Sequence, residues 1–536
     1  LSLTLAADAR LTHPDYFNDH IWTVDLYSGE PPALSLFTSY GLRARMMRVF
    51  PRFIIDKTAY SDSTKFYHPP HLVQFFPNFL KFSFSLLNGL DVTSEYWVPD
   101  SQVICGQFHI FNRNVNPVHL HLNMISILSP LDEGQAMQHD QVQSTTILYG
   151  ATGNLRPVLM LSGGPEPGIG PFPSLSIPVD LAPENENTIT WALASKENRE
   201  ASINCARDTL IKSWEAEIAR IDLLNQYYTI GINTGDVDWD AAIAMSQKVA
   251  YSLIMGPDAK LPNRSFVLSR QPDLGFSMRE DGSDYTFLWS GQSALDTWYL
   301  NQLLLPGGSQ ISQGILQNFI STQVEDGSID WRPGLAGQRG SLLSTPILAT
   351  ITWEIFETNR DLDFLDKNYL PLIKFYNRWF QPDHDRDNDG IPEWDHLLQT
   401  GITDHPFFDR WHLWSQGVDI TTVESPSLIS FLYAETISLL KIAKVLGHKG
   451  GTKLLKNNLL RLRTALEETW DQKKGTYCYR DRDTHLSESG QLIHTFSGDG
   501  QYKVNTKFSK PYRLGFKIHS RGETTRDRKS TRLNSS

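Results

Sequence analysis

The sequence has 536 residues, which is more than one hydrophobic core usually fills, so two or more domains are expected. Hydrophobic residues make up 40% and charged residues 20% of the chain, a composition that excludes a disordered or fibrous protein. The net charge of -11 argues against a nucleic-acid partner, because that kind of binding depends on clustered Lys and Arg side chains.

Cysteine usage and hydropathy indicate the setting of the protein. The three cysteines, Cys105, Cys205 and Cys478, are far apart and lack the spacing of a disulfide framework or a zinc site. We therefore expect a reducing compartment, and the sequence predicts a cytoplasmic protein of bacterial or archaeal type. No run of about 18 apolar residues would span a bilayer, so no membrane partner is predicted. The sequence leaves the oligomeric state open.

The N-terminal region, residues 1–215, is predicted to be an antiparallel β domain. In segment 118–124 the residues His119, His121 and Asn123 alternate with apolar residues, which is typical of a half-buried strand. His119 and His121 share a strand face and would suit a metal ion. No third ligand lies near them in the sequence, so solvent-facing side chains are the favoured interpretation.

A helical domain is predicted to follow a linker at residues 216–236. The apolar period lengthens near residue 212, and Ala242, Met245, Val249 and Leu253 would line one face of the first helix. We assign residues 237–475 to this domain. The polar, strand-like segment 476–526 is either an insertion or the remainder of the domain.

Two later helices carry the same start signal. Thr345 precedes Pro346 and Ser425 precedes Pro426, so each pair places a hydroxyl N-cap ahead of a proline in the first turn. The second of these helices is predicted to end at Gly447. The connections alternate between short and long, which predicts helical hairpins whose long loops gather at one end and form the site.

An acidic loop lies between two of the predicted helices. Its spacing, Asp385-x-Asp387-x-Asp389-Gly390, is the one with which carboxylate oxygens wrap a calcium ion around a glycine turn. The loop lacks the glutamate that ends an EF-hand, so another carboxylate would have to complete the ligand set. The spacing predicts a structural calcium ion held by Asp385, Asp387, Asp389 and Glu393. A solvated Asp-rich turn is the alternative.

The second half of the chain resembles a known family. Five pieces carry the resemblance, in order and spacing: Gln323–Asp330, Ser344–Pro346, Trp353, Asp361–Trp379 and Asp387–Trp394. They are similar to the six-hairpin, (α/α)6-barrel glycosidases, and within these to the group that holds processing α-glucosidase, mannosylglycerate hydrolase-like and trehalase-like enzymes. The resemblance extends from about residue 236 to residue 447. It implies a multidomain β + α fold, in which an N-terminal antiparallel β-sandwich precedes an (α/α)6 barrel.

The barrel is expected to be incomplete. The chain starts with Leu1, and roughly seven barrel helices can be traced where the resemblance implies twelve. Residues 527–536 resemble a tail that recurs at the broken ends of gene predictions from environmental DNA. We therefore expect a C-terminally truncated fragment with a non-native tail.

The resemblance also implies a general acid. Glycoside hydrolysis needs one carboxylic acid to protonate the leaving oxygen and a second carboxylate to activate water or to attack. In the related enzymes the acid is an aspartate shortly after a Ser/Thr-Gly pair. Here Thr403 occupies that position and Asp404 follows one residue later. Asp404 is the predicted general acid of an inverting mechanism, and an Asx-turn at Asp404 in an inactive protein is the alternative.

The second catalytic carboxylate is not identified by the resemblance, because in the related enzymes it lies late in the barrel, in the part that this fragment is expected to lack. Within the chain, Glu424 and Glu393 are the substitutes. Glu424 directly precedes the N-cap Ser425, where the helix dipole alone also favours a carboxylate.

Sugar rings bind to aromatic platforms beside carboxylates, amides and arginines. The residues that fit this description flank the long loops and are Trp289, Gln292, Asp296, Trp331, Arg332, Trp394, Gln399, Arg410 and Trp411. Any one tryptophan is more often part of a core than a ligand platform. The sequence therefore predicts a glycosidase that needs no cofactor and cleaves α-linked glucosides or related short saccharides. A glycoside phosphorylase and a non-catalytic carbohydrate-binding protein are the alternatives, and the sequence does not determine the sugar or the linkage.

Overall fold

The structure is a computed structural model that describes residues 2–26, 32–131, 133–268, 270–274, 291–334, 342–402, 405, 407–408, 418–487 and 492–507. The described residues before the first helix form sixteen strands: β1 Ser2–Leu5, β2 Trp22–Asp25, β3 Ser35–Thr38, β4 Ala44–Ile55, β5 Thr58–Tyr60, β6 His68–Phe76, β7 Phe79–Leu87, β8 Leu90–Asp100, β9 Val103–Asn112, β10 Val118–Pro130, β11 Gln135–Val142, β12 Thr145–Ala151, β13 Arg156–Leu161, β14 Glu166–Pro167, β15 Ser174–Leu181 and β16 Asn185–Lys196.

These strands form two antiparallel sheets. The first has the order β1-β2-β3-β4-β10-β15-β14, with β5 paired to β4, and the second has the order β11-β12-β13-β16-β9-β8-β7-β6. Large apolar side chains from both sheets meet in one core, among them Trp22 and Phe53 of the first sheet and Phe82 and Trp191 of the second. Each such side chain stabilises the fold by about 1.5–3 kcal/mol through its burial. The predicted N-terminal antiparallel β-sandwich is therefore confirmed.

Strand β10 shows how the sequence pattern determines the sheet faces. Leu120 and Leu122 are buried in the core, whereas His119 and His121 are exposed, as predicted. His119 Nδ1 lies 2.5 Å from Asp180 on the neighbouring strand. Neither histidine belongs to a group of three or more metal-type ligands among the described residues. Asn123 differs from the prediction, because it is buried at the sheet centre, where Ser176 Oγ donates a hydrogen bond to Oδ1.

Nine helices follow among the described residues: α1 Arg199–Leu210, α2 Trp214–Tyr228, α3 Val237–Ser252, α4 Ala294–Leu304, α5 Ser309–Ser321, α6 Leu348–Asn359, α7 Leu362–Arg378, α8 Pro426–Leu446 and α9 Thr452–Glu468. Three short two-stranded sheets lie beside them: β17 Ile254–Met255 with β18 Ser265–Phe266, β19 Val423–Glu424 with β22 Arg480–Asp481, and β20 Trp470–Asp471 with β21 Thr476–Tyr477. None of the helices that the structure describes is long and apolar enough to cross a membrane.

Helices α1 and α2 cover the outer face of the second sheet. Their buried residues Ile203, Ala206 and Ile221 join a second apolar cluster with Trp97 and Val158 of that sheet. Residues 216–236, which the sequence predicts to be a linker, therefore contain most of a packed helix. The linker was predicted because the apolar period lengthens near residue 212 and the helical pattern becomes clear only from about residue 238. Helix α2 buries only Ile221 and Asn225, so its sequence gives little apolar signal.

From α3 onward each helix packs against the next in the chain; α6 also contacts α4 and α8, and α5 also contacts α7, so alternate helices form two layers. Short connections at residues 305–308, 360–361 and 447–451 alternate with long ones at 253–293, 322–347 and 379–425. Successive helices in such hairpins run in opposite directions, so the three long connections lie at one end of the array. This arrangement agrees with the predicted helical hairpins.

Helix α3 packs differently from the prediction. Ala242, Met245 and Val249 are exposed, whereas Ala250 and Tyr251 are buried. The hydroxyl of Tyr251 donates to backbone carbonyls at the ends of α2 and α4, so the opposite side of α3 faces its neighbours. The prediction was wrong because apolar spacing identifies a stripe but not which neighbours are present to cover it.

Helix α6 begins two residues later than its predicted start, and Thr345 is not its N-cap. The Thr345 hydroxyl donates instead to the carbonyl of Gln399, 2.6 Å away. The helix begins at Leu348 after Ile347, whose side chain makes no capping hydrogen bond. Helix α8 begins at Pro426 and ends at Gly447, where φ is +72°, as predicted, but the hydroxyl of its N-cap residue Ser425 makes no capping hydrogen bond and lies 2.8 Å from the Ser427 hydroxyl instead.

A buried arginine joins the β domain to the helices. Arg270, in the connection after α3, donates to the carboxylate of Asp19 at 2.7 Å and to the carbonyls of Ser252 and Ala7. Both charged side chains are almost fully buried. Their contacts hold the connection 253–274 against the N-terminal segment of the sandwich.

Candidate active site

The three long connections contact one another at their end of the helix array. Arg332 Nε donates to the carbonyl of Gly291 at 2.8 Å, which joins the connections on either side of α4 and α5. The Thr345 hydroxyl bond to Gln399 joins the second connection to the third. Gly401, in a left-handed conformation with φ +74°, lies against Leu295 in the first turn of α4. The candidate catalytic and sugar-binding residues belong to these loops or border them.

Several predicted site residues lie outside the described residues: Trp289, Thr403, Asp404, Arg410 and Trp411. The chain on either side of Asp404 is described. Gly401 borders the first turn of α4, and His405 Nε2 lies 2.9 Å from the hydroxyl of Tyr479. The roles of the five residues stay predictions.

Gln292 is fully buried, and its side-chain amide is used within the fold. Its carbonyl oxygen accepts hydrogen bonds from the Ser265 hydroxyl at 2.9 Å and from Asn318 at 3.1 Å. Its NH2 group donates to the carbonyl of Ile315 at 2.7 Å. These bonds account for the polar side chain without a ligand.

Asp296 and Arg332 are half-buried neighbours at the start of α4. The Ser293 hydroxyl donates to Asp296 Oδ2 at 2.6 Å and accepts from the Asp296 backbone N–H, which caps the helix. Burial lowers the pKa of the Arg332 guanidinium, and the nearby Asp296 carboxylate opposes that shift. Among the predicted sugar-binding residues that the structure describes, Asp296 and Arg332 are the charged ones, and both side chains are partly exposed.

The other predicted binding residues that the structure describes are buried. Trp331 is 7% exposed and Trp394 is 1% exposed, and Trp394 packs edge-on against Trp379. The carbonyl oxygen of the Gln399 side chain accepts the backbone N–H groups of residues 395 and 396. Burial leaves these three side chains little surface for a sugar, and their predicted binding role stays untested.

The acidic loop folds around Gly390, as its sequence suggests. Gly390 has φ +86°, and its N–H donates to Asp385 Oδ2 at 3.0 Å. This left-handed conformation favours glycine, and a Cβ at this position would also have to displace the guanidinium of Arg461. Burial raises the pKa values of Asp385 and Asp389.

Glu393, at the end of this loop, is fully buried. Its Oε2 accepts the backbone N–H of Arg386 at 3.2 Å. Burial raises the pKa of Glu393 to about 7 despite this bond. Next to it, His384 Nδ1 lies 2.9 Å from Asp395. Burial alone would raise the pKa of Asp395, but hydrogen bonds from His384 and Arg386 hold it below its usual value.

Glu424 forms β19 with Val423 and is also fully buried. Its Oε2 pairs with the guanidinium of Arg480 on β22, and Arg480 reaches Glu468 at 2.6 Å as well. Burial raises the pKa of Glu424 to about 8, although Arg480 acts in the opposite direction. A carboxyl held in this way has no open face toward a sugar, so the structure offers no support for Glu424 as the catalytic base.

Sequence reasoning missed three residues at this end of the array. Arg480, Arg482 and His485 lie in the segment that was predicted to be either an insertion or the remainder of the domain. His485 lies within 3.8 Å of carboxylates of the acidic loop and of β19. No local pattern marks them. They reach the site because β22 pairs with β19, more than 50 residues earlier in the chain.

Comparisons with known proteins address the class of the helical domain. Residues 284–502 match the family described as Mannosylglycerate hydrolase MGH1-like glycoside hydrolase domain. This match confirms the predicted resemblance to the six-hairpin glycosidase group. A search of curated proteins finds no match.

Three solved structures are similar in outline. A bacterial glucoamylase complexed with acarbose has a TM-score of 0.49 and 9% identity, and the alignment covers 87% of this chain and 67% of the glucoamylase chain. A putative kojibiose phosphorylase from the human microbiome has a TM-score of 0.42 and 10% identity, with 89% of this chain and 64% of the phosphorylase chain covered. The GH63 mannosylglycerate hydrolase from Thermus thermophilus, in complex with glucose, has a TM-score of 0.26 and 16% identity, with 32% of this chain and 55% of the hydrolase chain covered.

The family match indicates the class of the helical part. Residues 284–502 are similar to a glycoside hydrolase domain, which supports a carbohydrate-active enzyme.

Proposed function

We propose that the protein is an inverting glycosidase that acts on α-linked glucosides or related short saccharides, with Asp404 as its general acid. The match of residues 284–502 to a glycoside hydrolase domain carries this proposal, because that range includes Asp404 and two of the three long connections in full. The mannosylglycerate hydrolase in the family description adds α-linked mannosides to the substrates worth testing.

The described residues on either side of Asp404 support a sugar site at this end of the array. Gly401 lies against Leu295 in the first turn of α4, and His405 Nε2 lies 2.9 Å from the hydroxyl of Tyr479. Asp296 and Arg332 supply a carboxylate and a guanidinium at the same end. Sugar hydroxyls are recognised by such groups, often in bidentate fashion.

Charge favours hydrolysis over phosphorolysis. A phosphorylase must hold an inorganic phosphate beside the bond that it cleaves, which calls for unpaired basic groups. In the described part of this end, Arg386 and Arg480 are paired with carboxylates and Arg332 lies near the Asp296 carboxylate, and the acidic loop adds further negative charge.

The test is release of free sugar from a panel of α-linked glucosides and mannosides, with and without phosphate, for wild type and for Asp404→Asn. Loss of a general acid slows such reactions by about 10²–10⁴-fold, so we expect the variant to lose at least that much turnover. NMR of the first product formed should show the β-anomer, because inversion at an α-linkage gives β. Asp363→Asn, an exposed aspartate in the first turn of α7, is the matched control and should retain wild-type turnover.

Three other results would each change the conclusion. Turnover unaffected by Asp404→Asn would assign the acid to another residue. Sugar phosphate formed only when phosphate is present would establish a phosphorylase. Saccharide binding without turnover in either reaction would establish a carbohydrate-binding protein.

A further inference from the structure

Three separate parts of the chain meet at one point beside helix α9. Asp387 and Asp389 come from the acidic loop, Glu424 from β19, and His485 from the segment after β22. One ligand-type atom from each of the four lies within 4.8 Å of the other three. Two of these residues, Glu424 and His485, are absent from the calcium site that the sequence predicts.

The distances within this cluster are too long for hydrogen bonds. His485 Nε2 lies 3.6 Å from Asp387 Oδ2, and His485 Nδ1 lies 3.8 Å from Asp389 Oδ2 and 3.5 Å from Glu424 Oε1. These three distances are close to the distance between two ligand atoms that bind the same small cation. In a tetrahedral site with metal–ligand bonds of about 2.0–2.2 Å, neighbouring ligand atoms lie about 3.4 Å apart. A shift of about an ångström would bring all four atoms into that geometry.

Buried oxygen atoms without partners point to the same location. The Glu424 side chain is fully buried. Its Oε2 pairs with the guanidinium of Arg480, whereas its Oε1 has no hydrogen-bond partner. Asp387 Oδ1 is likewise buried and unpartnered. Leaving a carboxylate oxygen unsatisfied inside a protein is costly, and a bound cation would remove that cost.

The ligand types indicate which cation fits. Calcium takes six to eight oxygen ligands and rarely a nitrogen. A set of three carboxylates and one imidazole suits zinc and similar divalent transition metals instead. A cavity of about 340 Å³, lined by Asp389 and His485 together with Arg461 and Arg480 among others, opens beside the cluster and gives an ion a path from solvent.

We propose that Asp387, Asp389, Glu424 and His485 bind a divalent transition-metal ion, with Zn²⁺ as the best fit. The ion joins the acidic loop, β19 and the segment after β22, three parts of the chain that are otherwise connected by side-chain pairs and one short sheet. Its role is to hold this end of the helix array together, so it is independent of whether the protein hydrolyses glycosides.

The test uses the full chain without a histidine tag, stripped of metal by a chelator. Calorimetric titration with Zn²⁺ and with Ca²⁺, followed by elemental analysis after gel filtration, should show one tightly held Zn²⁺ per chain and at least about 100-fold weaker Ca²⁺ binding. Titration with Co²⁺ should produce visible absorption bands of a four-coordinate site. This measurement needs no variant, so it stands even if a variant fails to fold.

Variants assign the ligands. His485→Ala should weaken Zn²⁺ binding by about 100-fold or more, since loss of even an outer-shell partner costs about 10–100-fold. Glu424→Gln should have a similar effect. His448→Ala is the matched control, because His448 is partly exposed near Asp366 on α7, away from the cluster, and it should leave affinity unchanged.

Two results would overturn the proposal. Tight Ca²⁺ binding that survives His485→Ala would establish the oxygen-only calcium loop predicted from the sequence. Wild-type protein that retains no stoichiometric metal and gives no Co²⁺ bands would mean that these four side chains meet without a metal ion.

Discussion

Glu435 on helix α8 provides a test of how burial controls stability at the centre of the helix array. Its carboxylate is fully buried and receives the first free N–H groups of α6, from Ala349 at 2.7 Å and Thr350 at 3.0 Å. Ile347, the residue before that helix, makes no side-chain cap. Glu435 therefore caps α6 from another helix.

Burial raises the pKa of Glu435 from its usual 4.5 to about 7, although the N–H groups of α6 oppose the shift. The folded state thus binds the proton more tightly than the unfolded state. The stability from this group is fully present below pH 4.5 and is lost as the pH rises to about 7. A difference of about 2.5 pH units corresponds to about 3 kcal/mol. Tyr376, the nearest titratable neighbour, stays neutral over this range because burial raises its pKa to about 12.

Denaturant unfolding of wild type and Glu435→Gln at pH 5 and pH 8, with chelator present, measures this effect. Glutamine imitates the protonated acid but does not titrate. We expect the variant to be less stable than wild type by about 1 kcal/mol at pH 5, from an imperfect hydrogen bond, and to gain about 2.5 kcal/mol on wild type between pH 5 and pH 8. Glu467→Gln, on the exposed surface of α9, should show the same pH dependence as wild type. An equal difference between wild type and Glu435→Gln at both pH values would refute the reasoning.

Two further predictions concern buried polar groups. Arg270→Met leaves the buried Asp19 carboxylate without its partner and should destabilise the protein by about 3–5 kcal/mol in thermal unfolding. The control Arg463→Met removes an exposed ion pair and should cost less than about 1 kcal/mol. Equal losses of stability in the two variants would contradict the account of the buried pair. Gln292→Leu breaks the bonds to Ser265, Asn318 and Ile315 and should cost about 1–3 kcal/mol while leaving the KM for a cleaved glycoside unchanged. A raised KM with unchanged stability would instead support the sugar contact predicted from the sequence.

The features that the sequence predicts well are those with local causes. Helix α8 begins at Pro426 and ends at Gly447 because a proline suits the first turn and a glycine tolerates the left-handed exit. The exposed His119 and His121 follow from the two-residue period of a strand. In each case the residues that determine the feature lie within one element.

Features that depend on a distant partner were missed. Thr345 has the right side chain and position to cap α6, but its hydroxyl donates to the carbonyl of Gln399 instead. The cap of α6 is supplied by Glu435, 86 residues after Ala349. Helix α3 shows the same limit, because its apolar stripe is real but no neighbour among the described residues covers it. Local preference was overruled by the contacts that the tertiary fold supplies.

The acidic loop shows why this limit matters for chemistry as well as for structure. A motif of aspartates at alternate positions contains only oxygen ligands, so from sequence alone calcium is the natural inference. The pairing of β19 with β22 then brings Glu424 and His485 to the same point, and a single imidazole nitrogen changes the preferred ion from calcium to zinc. Since that nitrogen arrives through a two-residue sheet, weakening the pairing should alter metal selectivity without changing any residue of the motif itself.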